Sequence, residues 1–237
     1  MSNILEVRQV EAGYGKSQVL FGVSAEVRKG SITAILGPNG SGKSTLLKTI
    51  FGLTEIYQGS IGFNGIEIRG MRPHRIARLG IAYLPQVQSN YLDLNVRENL
   101  LMAGYVLSKE QTKNRMEEVL EILPILTQFS EKKVSKLSGG ERQILVMAMA
   151  LMRQPELMLF DEPSAHLAPK ASEQIFEKIT ELRQNHGITI VLVEQDTRKA
   201  LQVSDQAYLL VSGRVNFRGA ASELAANTEL GELFLGL

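Results

Sequence analysis

The chain has 237 residues, of which 44% are apolar and 22% charged, with a formal net charge of +1. That length and composition support a sizeable core and exclude a disordered chain, and the near-zero charge offers no global electrostatic case for nucleic acid. With no cysteine there is no disulfide scaffold, which fits a reducing cytosol. Residues 1–10 alternate apolar and polar side chains and lack the basic start and apolar stretch of a signal peptide. No segment reaches roughly 18 uninterrupted apolar residues, so a chain working at a membrane would be held there by others.

Residues 4–10, 19–27 and 32–36 read as strands, the last without alternation, as expected of a strand buried on both faces. A glycine-rich turn precedes a helix over 43–51. Residues 60–63 and 66–68 flank Asn64-Gly65, a hairpin signal. A short helix starting at Pro73 runs over 73–79, followed by a buried strand over 81–84. From about 87 to 153 the periodicity is helical, over 96–107, 110–123 and 141–153. Strand and helix then alternate: strand 157–160, helix 170–185, strand 188–193, helix 197–203. A hairpin turns at Ser212-Gly213 between 208–211 and 214–217, and two short helical stretches close the chain.

This alternation implies a parallel-rich α/β sheet, the helical middle an insertion, and the early hairpins a small antiparallel layer on one edge. We expect one domain over 1–237, with an α/β core from 1–86 and 154–237 and a helical subdomain from 87–153.

Gly37-Pro38-Asn39-Gly40-Ser41-Gly42-Lys43-Ser44-Thr45 matches G-x-x-x-x-G-K-[ST] between a strand and a helix. Glycines let successive backbone N–H groups turn inward around an anion, and the following helix aims its positive end at it. Lys43 supplies a mobile charge for β- and γ-phosphates, and Ser44 a hydroxyl for Mg²⁺. The apolar strand 157–160 ends in Asp161 and Glu162. Asp161 would hold Mg²⁺ through water; Glu162 would polarise an attacking water or accept its proton. Each acid alone could equally cap a helix; together with the phosphate loop they complete one site.

Leu137-Ser138-Gly139-Gly140-Glu141 opens the helix over 141–153. Ser138 and Glu141 form a capping box, which leaves Gly139 and Gly140 unexplained. Their backbone can approach a ligand closely at a positive helix end. LSGGE between a phosphate loop and an Asp-Glu strand end resembles the signature of the ABC ATPases, and the resemblance covers essentially the whole chain. It implies a RecA-like P-loop NTPase core, with ATP and Mg²⁺ as ligands. It also implies a head-to-tail pair of such subunits, identical or homologous. Ser138, Gly139 and Gly140 would then meet the γ-phosphate of the partner's nucleotide.

The same resemblance gives Tyr14 in Gly13-Tyr14-Gly15 an adenine-stacking role; otherwise it is a turn tyrosine packed on its neighbours. Gln86, after Leu84-Pro85, resembles the family's switch glutamine, contacting Mg²⁺ or water and sensing a membrane partner. The loop 164–169 resembles the one that crosses the dimer interface. Most ABC ATPases carry a histidine at the γ-phosphate where this chain has Gln195, which can donate a hydrogen bond but carries no titrating charge near neutral pH. His74, His166 and His186 are expected as surface or loop residues.

Ser164-Ala165-His166-Leu167-Ala168-Pro169, with Val193-Glu194-Gln195 and the closing Leu233-Phe234-Leu235-Gly236-Leu237, is similar to one ATPase of the branched-chain amino-acid importers and their urea- and amide-importing relatives. Many of those carry Pro-Glu-Gly-Arg where this chain has Pro85-Gln86-Val87-Gln88. Such importers imply two ATPases, two permeases and an external solute-binding protein, with this subunit peripheral on the cytoplasmic face of the inner membrane. Tyr91, Leu92, Leu94 and Val96 either receive a permease helix or pack the helical subdomain. The alternatives are a soluble ABC ATPase of a non-transport assembly and a homodimeric export or extraction ATPase.

Overall fold

The computed structural model describes residues 2–86 and 90–230. Two long strands, β1 (Asn3–Tyr14) and β2 (Ser17–Arg28), pair antiparallel, with bulges that bend the ribbon. The chain then enters β3 (Ile32–Leu36), buried throughout, and α1 (Lys43–Ile50). Next come β4 (Glu55–Phe63), β5 (Ile66–Glu67), α2 (Pro73–Arg78) and β6 (Ile81–Leu84). Asn64 adopts φ 49° and Gly65 φ 77°, the left-handed pair a tight hairpin between β4 and β5 requires.

Between β6 and the next strand the described residues hold α3 (Val96–Ala103), α4 (Lys109–Ile122), 3-10 turns at Pro124–Phe129 and Val134–Lys136, and α5 (Gly139–Leu151). The third of these helices starts at the LSGGE glycines. The first stops short of the expected 107, with Gly104 as its C-cap; a Cβ there would come within 2.8 Å of Thr112, so the glycine admits the start of α4. The chain returns through β7 (Leu157–Asp161), α6 (Pro169–His186), β8 (Thr189–Val193) and α7 (Thr197–Val203). It ends with β9 (Gln206–Val211), β10 (Arg214–Ala220), α8 (Ala221–Ala226) and α9 (Thr228–Leu230).

Two sheets form. One is four-stranded and antiparallel, in the order β2-β1-β4-β5. The other is six-stranded, in the order β10-β9-β3-β8-β7-β6, and parallel except for β10. The expected edge layer is thus a separate sheet facing the parallel one. Period-two alternation divides the central strands between two cores. Ile32, Ala34, Leu36, Met158, Phe160, Ile190 and Leu192 face the helices of the 90–151 region together with α6 and α7. Ile35, Leu157, Leu159, Val191 and Val193 face α1 and the antiparallel sheet. Each fully buried aliphatic contributes about 1.5–3 kcal/mol, so double-sided burial anchors these strands. In register, Val193 lies opposite both Ile35 and Asp161. The carboxyl ends of β3, β7 and β8 therefore open on one edge, where ligands of parallel sheets bind.

Candidate functional site

The loop leaving β3 is shaped by close approach. A Cβ on Gly37, at φ 146°, would lie 2.0 Å from Leu210 O, so only glycine passes the β9 backbone here. Gly213 N, in the turn between β9 and β10, donates to Ser41 O at 2.9 Å and braces the loop from the same side. The first turn of α1 has no side-chain cap, which leaves its N–H groups for an anion. Lys43 is buried, and its Nζ donates to Gly37 O at 2.8 Å and Pro38 O at 2.9 Å. Burial lowers its pKa, against the raising influence of Glu162 and Asp161. Ser41 Oγ is buried and without a partner among the described residues. Uncapped amides, an orphaned hydroxyl and a desolvated ammonium together suit a polyphosphate.

Two carboxylates close this cradle. Ser44 Oγ donates to Asp161 Oδ1 at 2.7 Å, joining residues 117 positions apart. Tyr83 donates to Asp161 Oδ2 at 2.8 Å. Burial, with Asp161 beside it, pushes the Tyr83 phenol pKa far up. Serine and aspartate oxygens are the hard donors Mg²⁺ prefers. No group of three or more His, Asp or Glu with metal-holding geometry occurs among the described residues, so an ion here would complete its shell with phosphate and water oxygens.

Glu162, buried at φ 52°, stands in a left-handed conformation held by its own N–H donating to Val193 O at 2.9 Å. Its Oε2 accepts from Gln86 Nε2 at 3.0 Å and from Gln195 Nε2 at 2.8 Å. The three residues expected at the hydrolytic centre therefore meet at one carboxylate oxygen. Gln195 contacts Glu162 directly, a pairing that its expected place beside the γ-phosphate did not include. Glu194 is 2% exposed and accepts from Ser164 N at 2.9 Å and Gln195 N at 3.1 Å. Desolvation raises its pKa against those hydrogen bonds.

Other expected residues lie apart from this cluster. Tyr14 is 47% exposed on a turn whose Gly15 carbonyl accepts from Tyr57 Oη at 2.7 Å. Ser138 makes the capping box with Glu141, at 3.3 Å and 2.6 Å, and none of its hydrogen bonds reaches the phosphate loop. Cβ atoms on Gly139 and Gly140 would lie 3.0 Å from Leu167 Cδ2 and Ala171 Cβ, so both glycines also admit the segment that follows Glu162. His74, His166 and His186 are exposed. Tyr91 and Leu92 are exposed and Leu94 half-buried, but Val96 is fully buried in the helical core and lines no surface groove. The Val87-Gln88 departure and the closing 233–237 segment lie outside the described residues. Sequence reading passed over Tyr83 and Tyr57, and named Glu194 only within the Val193-Glu194-Gln195 run without giving it a role. Glu194 had a signal, an acid directly following the apolar run 190–193; the tyrosines had none.

The fold and the cradle at its strand ends define a P-loop α/β protein. A family model described as ABC transporter matches residues 20–165. The chain is 48% identical over 234 residues to the probable branched-chain amino acid transport ATP-binding protein LivF of Archaeoglobus fulgidus, covering 99% of each. It is 41% identical to the high-affinity branched-chain amino acid transport ATP-binding protein BraG of Pseudomonas aeruginosa, covering 98% of this chain and 100% of that one. A crystal structure of an ATP-binding cassette of an ABC transporter in its ADP conformation superposes with TM-score 0.88 at 28% identity, covering 98% of both chains. This chain belongs to the ABC transporter family.

Proposed function

We propose that the chain is the ATP-binding and ATP-hydrolysing subunit of an ABC importer for branched-chain amino acids or a related small polar solute. The carrying observation is the Ser44–Asp161 contact at 2.7 Å, which brings the phosphate loop and the strand-end acids into one site. The identity to branched-chain amino acid transport proteins over the whole chain supports the importer reading.

In this reading the loop amides, Lys43, Ser41 and Thr45 hold the triphosphate. Tyr14 stacks on adenine. Ser44 and Asp161, with Gln86 on the approach, hold Mg²⁺, which would offset charge developing on the transferred phosphoryl group. Glu162 orients the attacking water or takes its proton, and the amides of Gln86 and Gln195 fix where its Oε2 points. Ser138, Gly139 and Gly140 present a second helix N-terminus to the nucleotide of a second, identical or homologous subunit.

Residues 87–153 serve as a helical subdomain inserted into the core. A groove of about 200 Å³ between that region and the core is lined by Phe51, Ala77, Tyr83, Leu84, Ala103 and Met149. Leu101, Met102, Tyr105 and Val106 are exposed on the same helical region. Apolar surface of this kind marks a docking face, here for a permease helix. No helix of the described residues is long and apolar enough to cross a membrane; the likeness to transport ATP-binding proteins supports a peripheral place on the cytoplasmic face. Solute selection then belongs to two permeases and an external binding protein.

The test is a pull-down of the tagged chain from detergent-solubilised source membranes. Stoichiometric recovery of a second ATPase and two permeases is the expected result. Recovery from the soluble fraction with no membrane chain would overturn the importer reading.

A further inference from the structure

Glu194 is a carboxylate with no cation bonded to it among the described residues, buried directly behind the hydrolytic centre. A buried acid of this kind is costly unless its oxygens are satisfied. Here they are, and by donors from two different loops. Oε1 takes Ser164 N, two residues after Glu162; Oε2 takes Gln195 N. Two further bonds close a ring: Glu162 N to Val193 O at 2.9 Å, and Gln195 Nε2 to Glu162 Oε2 at 2.8 Å. The ends of β7 and β8 are thus stitched at three points, one of them through Glu194 Oε1, while Glu194 Oε2 holds the backbone of its neighbour Gln195 on the β8 side. The stitched segment continues into Leu167 and Ala171, which fill the space left by the missing side chains of Gly139 and Gly140.

We propose that Glu194 is a positioning residue that makes the loop 164–169, the Gln195 amide and the Glu162 carboxylate move as one unit. It carries the placement of the LSGGE segment to the chain's own hydrolytic carboxylate. Only a carboxylate meets both requirements, because each of its oxygens accepts without donating. Glutamine in its place retains one acceptor and turns an N–H₂ toward a backbone N–H. The chemistry at Glu162 is the one assigned under the ATPase reading, on which the catalytic half of this inference rests.

The experiment compares wild type, Glu194→Ala, Glu194→Gln, Gln195→Ala and the Glu194→Ala/Gln195→Ala double variant in the full chain. Amide hydrogen exchange is followed over the segments 164–169 and 195–197 of the chain, and steady-state ATP hydrolysis in the assembled transporter alongside. Glu194→Ala is expected to speed exchange in both segments together by about tenfold or more, since each loses a charge-assisted hydrogen bond. Turnover should fall by about tenfold or more with KM for ATP within about twofold, the mark of a group acting on the chemical step. Glu194→Gln should lie between, and the double variant should be no slower than the slower single variant, because both act through one ring. Loosening of one segment alone, preserved turnover, a KM that rises with the loss, or multiplying losses would each overturn the proposal. If Glu194→Ala does not fold, the isosteric Glu194→Gln decides on the same readouts. An assembled wild-type transporter without ATP turnover would overturn the ATPase reading, while the exchange pattern of the chain would still decide whether Glu194 ties the two loops.

Discussion

Lys43 shows how a binding residue can oppose the stability of its own fold. Its ammonium is desolvated and bonded to two loop carbonyls, and burial lowers its pKa below 10.5. Between the lowered and the ordinary value the unfolded chain holds the extra proton, so stability rises with pH through that window. Below it the buried charge is a standing cost. Lys43→Met should therefore keep or raise the melting temperature of the nucleotide-free chain, while nucleotide affinity falls by about a hundredfold or more. Calorimetry with and without ATP checks both, and a nucleotide-free chain that melts several degrees lower would refute the argument. Glu194 has the opposite sign. Its raised pKa means the folded chain holds the proton longer, so wild-type stability falls as pH rises from 4.5 through the folded value. Glu194→Gln should remove that slope, so its stability difference from wild type shifts in its favour as pH rises across the window, measured by denaturant titration at several pH values. At position 195, a histidine in place of glutamine would bring a group titrating near pH ~6.5 to the Glu162 oxygen. Gln195→His is expected to raise the assembled transporter's ATPase rate and make it pH-dependent; an unchanged rate would show that this position does not limit hydrolysis.

At the scale of elements, the helix starts fall into two kinds. Helices α3, α4 and α5 begin with side-chain capping boxes at Asn95, Ser108 and Ser138. Helix α1 begins at Gly42 with no side-chain cap. A cap side chain satisfies the first-turn amides locally; without one they are free to bind an anion. Ser138 combines the two uses, since it caps α5 and is exposed at its tip. Ser138→Ala should cost about 1 kcal/mol, lowering the melting temperature by about 2–4 °C. Nucleotide affinity of the isolated subunit should not change, because the Ser138 hydrogen bonds go to Glu141. A weakened affinity in the monomer would place Ser138 in its own chain's site and contradict the two-subunit arrangement.

Across the whole molecule, the site rests on strand order. Residues from β3–α1, β6, β7 and β8 converge because those strands share one parallel sheet, anchored by side chains buried on both faces. A ligand bound there ties these elements together. ATP with Mg²⁺ at about a hundred times its Kd should stabilise the chain by about 2.7 kcal/mol, or about 5–10 °C in melting temperature. Without Mg²⁺ the shift should shrink, because the Ser44–Asp161 pair then has no ion to hold; equal shifts would remove that pair from metal binding.

What could be read from the residues alone was whatever depends on neighbours along the chain. The phosphate loop, the hairpin at Asn64-Gly65, the capping box at Ser138 and the doubly buried strands all follow from local backbone preference and hydrophobic period. Such signals span about ten residues or fewer and survive without tertiary context. What the tertiary structure decided was which of these pieces meet. The order β10-β9-β3-β8-β7-β6 sets Ser44 against Asp161, Gln86 and Gln195 against one oxygen of Glu162, and Glu194 beneath Ser164. It also took Val96 into the core and gave Tyr83 a carboxylate partner. Contacts between residues tens of positions apart depend on how strands are ordered in the sheet, and no local pattern encodes that order.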